Sequence, residues 1–106
     1  MSPFALVADP HRRAILDLLR EDERPVGEIV HALALAQPAV SKHLRVLREA
    51  GLVHVRVDAQ RRLYRIDPRP LRELDAWLAP YRAMWEASLD ALERELDAMT
   101  KEERSQ

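Results

Sequence analysis

The stretch that most constrains the fold of this chain is AQPAVSKHLRVLREAGL, residues 36–52. The proline near its start fits the first turn of a helix, and the glycine near its end fits the residue that terminates one. Apolar residues recur between them at intervals of three and four, which is the helical period. Val40, Leu44 and Leu47 therefore predict one buried side. Because so short a helix needs other elements to cover that side, the stretch predicts a small, mostly helical core.

The opposite side of this helix is polar and basic. At about 100° per residue, it comprises Pro38, Ser41, Lys42, Arg45, Arg48 and Glu49, with His43 flanking the buried side. The whole chain of 106 residues carries a net charge of −1, but residues 37–66 carry seven basic and two acidic residues, a local charge of +5. Screening limits the reach of each charge to about 8–10 Å, so the local sign matters more than the net charge.

The remaining elements follow from caps and periodicity. Asp9-Pro10 predicts the start of a helix that runs to about residue 20, after a small helix over 4–7. Residues 26–33 predict another short helix, separated from the basic helix by a tight turn. Alternating residues predict two strands, 52–57 and 62–66, joined by a turn. A long helix follows, and Pro80 should kink it or split it.

This order of elements predicts one domain, residues 1–106, of the winged helix-turn-helix type: mostly α with a small β-hairpin wing. The predicted core covers about 5–66, with the helix-turn-helix at 26–50, the wing at 52–66 and the long C-terminal helix at 70–99. The second helix of such a unit enters the major groove of DNA with its N-terminus first. We therefore expect double-stranded DNA as the partner.

The residue types on the basic helix suit the reading of bases and phosphates. Gln37 can pair with adenine, Arg45 or Lys42 with guanine, and Ser41 with a base or a phosphate. Backbone contacts are expected from the wing and from the start of the second helix; the arginines there are Arg61, Arg62, Arg12 and Arg13. A solvated face without function is the alternative for any single basic helix. Here the turn, the helix, the wing and the local charge agree, and they favour DNA binding.

The long helix carries an apolar stripe that is too long for this small core to cover. Its members are Leu71, Leu74, Leu78, Tyr81, Trp85, Leu89, Leu92, Leu96 and Met99. Packing in the core or in a dimer interface is the favoured interpretation, since aromatic residues dominate interfaces. Trp77, Tyr81, Met84 and Trp85 cluster around Pro80, which leaves open a small apolar effector bound there.

Composition excludes several other classes of function. The absence of cysteine excludes disulfides, thiolate metal sites and a cysteine nucleophile, and two glycines leave no phosphate-binding loop. We see no catalytic constellation, so no enzyme is expected, and no cofactor is predicted. No apolar run is long enough to span a membrane, and the N-terminus does not resemble a secretory signal. A cytoplasmic protein is expected.

The sequence resembles the arsenic-repressor (ArsR) family of winged-helix transcriptional regulators. The similar stretches are ADPHRRAILDLL, VGEIVHALALAQPAVSKHLRVLREAGLV and VRVDAQRRLYRI, about residues 5–66. The resemblance implies a repressor that binds a pseudo-palindromic operator as a homodimer formed by the first and last helices, which would place Phe4 and Leu6 at the interface. The recognition-helix positions that match by residue type are Gln37, Ser41, Lys42, His43 and Arg45.

The metal-binding members of that family have ligands that this sequence lacks. The short helix VGEIVHAL has no cysteine, the last helix has no histidine, and the four histidines lack the i, i+4 spacing that pairs two imidazoles on one face. The chain is therefore similar to a subgroup without metal sites, and no metal is predicted. The competing class of function is a protein-interaction module that docks a partner through the acidic C-terminal helix.

Overall fold

The computed structural model describes residues 1–105, apart from the side chain of Ser105. The elements run in the order α1 (Pro3–Ala8), α2 (Pro10–Glu21), β1 (Arg24–Pro25), α3 (Val26–Leu33), α4 (Gln37–Glu49), β2 (Val53–Asp58), β3 (Arg61–Ile66), a 3-10 turn (Arg69–Leu71) and α5 (Arg72–Ser105). The chain divides into two compact units, residues 1–74 and the residues from 75 onward. The predicted winged helix-turn-helix architecture is confirmed.

Capping side chains define the start of the first two helices. The Ser2 hydroxyl accepts a hydrogen bond from the N–H of Ala5 at 3.3 Å and caps α1. The Asp9 carboxylate accepts from the N–H groups of His11 at 2.8 Å and Arg12 at 3.1 Å, and Pro10 occupies the first position of α2. The predicted Asp-Pro helix start is therefore confirmed.

The end of α4 is closed by backbone hydrogen bonds around a glycine in the left-handed conformation. Gly51 has φ +78°, its N–H donates to the carbonyl of Arg48 at 3.0 Å, and the N–H of Leu52 donates to the carbonyl of Leu47 at 3.0 Å. This pair of bonds satisfies carbonyls that a helix end leaves free. The chain leaves α4 in a fixed direction, straight into β2.

The sheet has three antiparallel strands in the order β1-β3-β2. In the hairpin, Val53 pairs with Ile66 and Asp58 with Arg61. The two-residue strand β1 was not expected, because the sequence analysis predicts no element between the helix that ends near residue 20 and the helix that begins at residue 26. Arg24 pairs with Tyr64, so β1 depends on a partner distant in sequence and has no local pattern of its own.

The core of the first unit lies between the helices and the inner side of the sheet. Its buried side chains are Leu6, Ile15, Leu16, Leu19, Ile29, Val40, Leu44, Leu47, Leu52, Val53 and Tyr64. Val40, Leu44 and Leu47 are between 0 and 2% exposed, as the helical spacing predicts. They fix the rotation of α4, so its other side faces outward.

Helix α5 continues without a break through Pro80 and extends to Ser105. Of the kink or split predicted at Pro80, the split does not occur, because a proline removes one backbone hydrogen bond and in a long helix the turns on both sides still form. The kink stays a prediction. The helix also ends six residues later than predicted, since the segment after Met99 is rich in good helix formers.

Candidate nucleic-acid interface

The turn between α3 and α4 determines how the N-terminus of α4 is presented. Ala34 adopts the left-handed conformation, with φ 53° and ψ 39°, and its N–H donates to the carbonyl of His31 at 3.4 Å. Ala36 is extended and begins α4, and Pro38 lies in the first turn. Three residues thus reverse the chain between two helices that pack on the same core.

The side chains predicted to contact DNA from α4 lie on its outer surface. The exposed ones are Gln37, Pro38, Ser41, Lys42, Arg45 and Arg48. None of Lys42, Arg45 and Arg48 has a carboxylate within ion-pair distance among residues 1–105. The structure therefore places six of the predicted α4 residues on one accessible face with three free cations.

His43 differs from these residues because it is half-buried on the flank of α4 that packs against α2. Its ring centroid lies 5.8 Å from that of His11, at the start of α2, and the rings are tilted by 45°. The sequence analysis found no histidine pair, because it searched for the i, i+4 spacing within one helix. His11 and His43 meet only through the packing of two helices.

The hairpin carries the two wing arginines at its tip. Arg61 and Arg62 are exposed, and Arg61 lies 4.0 Å from Asp58 across the turn. Nearer the base, the Arg56 guanidinium donates to both carboxylate oxygens of Glu23, which precedes β1. That hydrogen bond from Arg56 lowers the pKa of Glu23. The wing is therefore attached to the α2–α3 connection as well as to α4.

A cationic groove lies between α4 and the hairpin. It has a volume of about 580 Å³ and is lined by Arg45, Arg48, Glu49, Val53, His54, Val55 and Arg65. Arg65 is exposed and is a site residue that the sequence analysis missed, although it contributes to the charge of the basic segment. It was missed because the sequence analysis considered only the arginines at the tip of the hairpin as wing contacts.

The base of the hairpin is held by the carboxylate of Asp67. This carboxylate accepts from the Arg69 guanidinium at 2.6 Å and lies 2.9 Å from Nε2 of His54. The Asp67 N–H donates to the carbonyl of Leu52 at 2.7 Å. The hydrogen bonds from Arg69 first, and then from His54, lower the pKa of Asp67 well below its usual range. The carboxylate is thus ionised near neutral pH.

Arg12 and Arg13, which are predicted to contact the DNA backbone, also hold the end of α1. Arg12 donates to the carbonyls of Leu6 at 2.9 Å and Ala5 at 3.1 Å, and Arg13 donates to those of Val7 at 2.6 Å and Ala8 at 3.1 Å. Their guanidinium groups therefore satisfy the free carbonyls at the end of α1. These bonds use Nε and Nη2 of Arg12 and Nη1 of Arg13, so part of each guanidinium group is engaged, and contact with a phosphate stays a prediction.

The residues expected at a dimer interface fall into two groups. Leu6 is 1% exposed in the core of its own protomer, so a second copy cannot contact it. Phe4, Leu74 and Leu78 are partly exposed. The apolar side chains exposed along α5 are Trp77, Tyr81, Met84, Trp85, Leu89, Leu92, Leu96 and Met99. Of the aromatic cluster near Pro80, the Trp77 and Tyr81 rings lie 4.9 Å apart.

Residues 1–105 contain neither a cluster of potential metal ligands nor a membrane-spanning helix. No three His, Asp or Glu side chains there are grouped closely enough to hold a metal ion. No helix in that part of the chain combines the length and the hydropathy needed to cross a membrane.

Comparison with known proteins identifies the family. Residues 9–55 match the family model described as bacterial regulatory protein, arsR family. A crystal structure of a possible transcriptional regulator for arsenical resistance superposes with a TM-score of 0.68 at 37% identity, covering 76% of this chain and 84% of that one. The chain belongs to the ArsR family. Its members are DNA-binding transcriptional regulators with a winged helix-turn-helix fold, not enzymes.

Individual ArsR relatives differ in what they regulate. An HTH-type transcriptional regulator of Mycobacterium tuberculosis is 44% identical over 68 residues, which is 64% of either chain. A solution structure from Mycobacterium bovis, titled as a homodimeric winged helix-turn-helix DNA-binding domain, has a TM-score of 0.60 at 32% identity and covers 74% of this chain and 73% of that one. Further relatives include a biofilm growth-associated repressor of Agrobacterium fabrum and a transcriptional activator of Vibrio cholerae. The chain spans less than two thirds of the length of the first curated relatives it matches.

Proposed function

We propose that this ArsR-family protein is a homodimeric repressor that binds a pseudo-palindromic operator and does so without sensing a metal. The observation that carries the proposal is the accessible face of α4, where Gln37, Lys42 and Arg45 stand free of intramolecular ion pairs beside a cationic groove. These side chains have the donors and acceptors that read base edges in a major groove.

The contacts divide by chemistry into base reading and backbone positioning. Gln37, Ser41, Lys42 and Arg45 project from the first half of α4 and would read bases. The groove between α4 and the hairpin would hold a phosphate backbone, with Arg48 and Arg65 as its cations. Arg61 and Arg62 at the wing tip would contact phosphates or the minor groove. Arg12 and Arg13 at the start of α2 would add backbone contacts through the guanidinium N–H groups that do not bond to α1.

A homodimer is supported by the exposed apolar stripe of α5 and by the homodimeric relative. Large contiguous apolar surfaces on a soluble chain mark interaction sites. The interface would consist of Phe4, Leu74, Leu78, Tyr81, Trp85, Leu89, Leu92 and Leu96. Two recognition helices related by a two-fold axis would meet half-sites about one DNA turn, roughly 34 Å, apart.

Repression rather than activation is supported by the repressors among the relatives. Regulation without a metal is supported by the lack of cysteine and of any i, i+4 histidine pair in the sequence. The place of action would be the cytoplasm, where a bacterial regulator meets its operator. A small apolar effector bound near Trp77 and Tyr81 is the second candidate feature, because those side chains are large, apolar and accessible.

The test is fluorescence anisotropy of the purified protein on DNA from upstream of its own gene, with a scrambled duplex as the control. Tight binding with a clear preference for the native fragment is expected. The affinity should fall steeply with salt, with a log–log slope of about −0.9 for each phosphate neutralised. Weak binding without preference or salt dependence would instead favour the protein-interaction module, whose apolar contact through α5 should depend little on salt.

A further inference from the structure

A helix that lies in a major groove has a phosphate backbone on each side of it. On α4, Arg48 and His43 are five residues apart, so they lie roughly 140° apart around the helix and face opposite flanks. The Arg48 flank opens into the groove with Arg65 and His54. The His43 flank packs against α2, where the accessible side chain is that of His11.

The basic side chains on the two flanks differ in how their charge depends on pH. Arginines on the hairpin flank are charged at every accessible pH. On the α2 flank the nearby arginines, Arg12 and Arg13, are bound to the carbonyls of α1. That flank also presents two imidazoles, a type of group that changes charge between about pH 5 and pH 8.

The surroundings of the two rings contain charges of both signs. Just before α2, the Asp9 carboxylate accepts the backbone N–H of Arg12, which is the main cause of its lowered pKa, accepts that of His11, and interacts electrostatically with His43. Asp17, Arg20 and Glu21 line the same cavity as His11, to which α3 contributes only the apolar Ala32 and Leu33. On α4, Lys42 precedes His43 and is exposed.

We propose that His11 and His43 form a second phosphate contact whose charge titrates, so that the affinity for DNA rises as the pH falls through the histidine range. This inference rests on the proposed DNA-binding function and extends it to a residue outside the helix-turn-helix. The two rings lie 5.8 Å apart, close enough to flank one phosphate group. A phosphate bound between them favours the charged form of an imidazole, so DNA binding would be accompanied by proton uptake.

The direction and size of the effect follow from linkage. A group with a higher pKa in the complex than in the free protein strengthens binding below that higher pKa. A rise of about one pKa unit gives at most about a tenfold change in affinity. We therefore expect the protein to bind roughly three- to tenfold more tightly at about pH 6 than at about pH 8, at fixed ionic strength.

The experiment measures anisotropy on the labelled duplex from upstream of its own gene at both pH values. It compares the unchanged protein with His11→Gln, which is neutral throughout, and His11→Arg, which is charged throughout. His31→Gln, an exposed histidine on α3, is the matched control. Thermal melts of each variant identify any loss of folding. For each variant we define the pH ratio as its affinity at about pH 6 divided by its affinity at about pH 8, which does not depend on how tightly that variant binds overall.

The expected result is a smaller pH ratio in both His11 variants, with His11→Arg binding more tightly than His11→Gln at about pH 8, and an unchanged ratio in His31→Gln. A pH ratio in His11→Gln equal to that of the unchanged protein would overturn the inference while leaving DNA binding intact. Failure of the unchanged protein to bind the duplex at either pH would contradict the proposed function itself, and this inference with it.

Discussion

At the scale of single residues, Asp67 connects the base of the wing to the start of the C-terminal segment. Its carboxylate holds both His54 and Arg69, and its lowered pKa means that the folded state favours the ionised form. A carboxyl with a depressed pKa contributes stability above its unfolded pKa of about 3.9, and loses that contribution as the pH falls through its folded pKa.

We predict that Asp67→Asn lowers the urea midpoint of unfolding near neutral pH. The difference in midpoint between this variant and the unchanged protein should become smaller as the pH drops below about 4. Asp75→Asn removes an exposed carboxylate paired with Arg82 and should change stability little. Urea titrations at several pH values measure both. An equal difference in urea midpoint at neutral and acid pH would show that the stabilisation comes from the hydrogen bonds that the Asp67 side chain accepts and not from its charge.

Arg45 is the residue of α4 best suited to read a guanine. It is exposed, has no ion-pair partner within the described residues and lies at the mouth of the groove toward the hairpin. We predict that Arg45→Ala weakens binding to the native fragment by about 1–3 kcal/mol and relaxes the preference over scrambled DNA. Arg45→Lys should restore little of the preference, because it lacks the planar fork. An equal loss on both duplexes would make Arg45 a phosphate contact.

The residues that sequence reasoning placed correctly are those governed by local periodicity. The outward face of α4 follows from Val40, Leu44 and Leu47 alone. The roles of Arg12 and Arg13 were not predictable in this way, since they depend on where the chain turns after α1. The contact between His11 and His43 joins two helices 32 positions apart in sequence, and no spacing rule within one helix reveals it.

At the scale of elements, the turn of the helix-turn-helix and the end of its second helix each contain a residue in the left-handed conformation, and the two residues differ in how well they tolerate it. Gly51 has φ +78° and a side chain built there would meet only Pro70, at 3.8 Å. Ala34 has φ 53° although it carries a Cβ. Left-handed backbone costs a residue with a Cβ about 1–2 kcal/mol and costs glycine almost nothing.

We therefore predict that Gly51→Ala lowers the free energy of unfolding by about 1 kcal/mol, and that Ala34→Gly raises it by up to about 1 kcal/mol. Gly27→Ala is the control, since Gly27 lies within α3 and a Cβ there meets nothing within 4 Å. That change should stabilise by about 0.5–1 kcal/mol through helix propensity. Urea unfolding measures all three, and a destabilised Ala34→Gly would show that the turn is not strained.

The elements themselves were largely predictable. The bounds of α3 match the prediction of 26–33, and α2 differs by one residue, because caps and apolar spacing are local signals. β1 was missed because its two residues acquire strand geometry only by pairing with Tyr64 and Leu63. The length of α5 was underestimated because its last turns carry no apolar stripe, although their residues favour helix.

At the scale of the whole molecule, the exposed stripe of α5 is the feature that a single copy leaves unexplained. We predict that Trp85→Ala shifts sedimentation equilibrium toward monomer by roughly tenfold or more in the dissociation constant, since buried tryptophans dominate interfaces. Arg94→Ala, about 180° away around the helix, should leave the equilibrium unchanged. An unaltered dimer in Trp85→Ala would place the interface elsewhere.

The attachment of the wing has a consequence for the thermodynamics of association. Because Arg56 is bound to Glu23 and the hairpin pairs with β1, the strands below the tip already hold one conformation before any partner arrives. Their ordering entropy is lost during folding and not during binding. The wing therefore meets its target with its strand geometry already set, and we expect this element to add little to the entropy cost of binding.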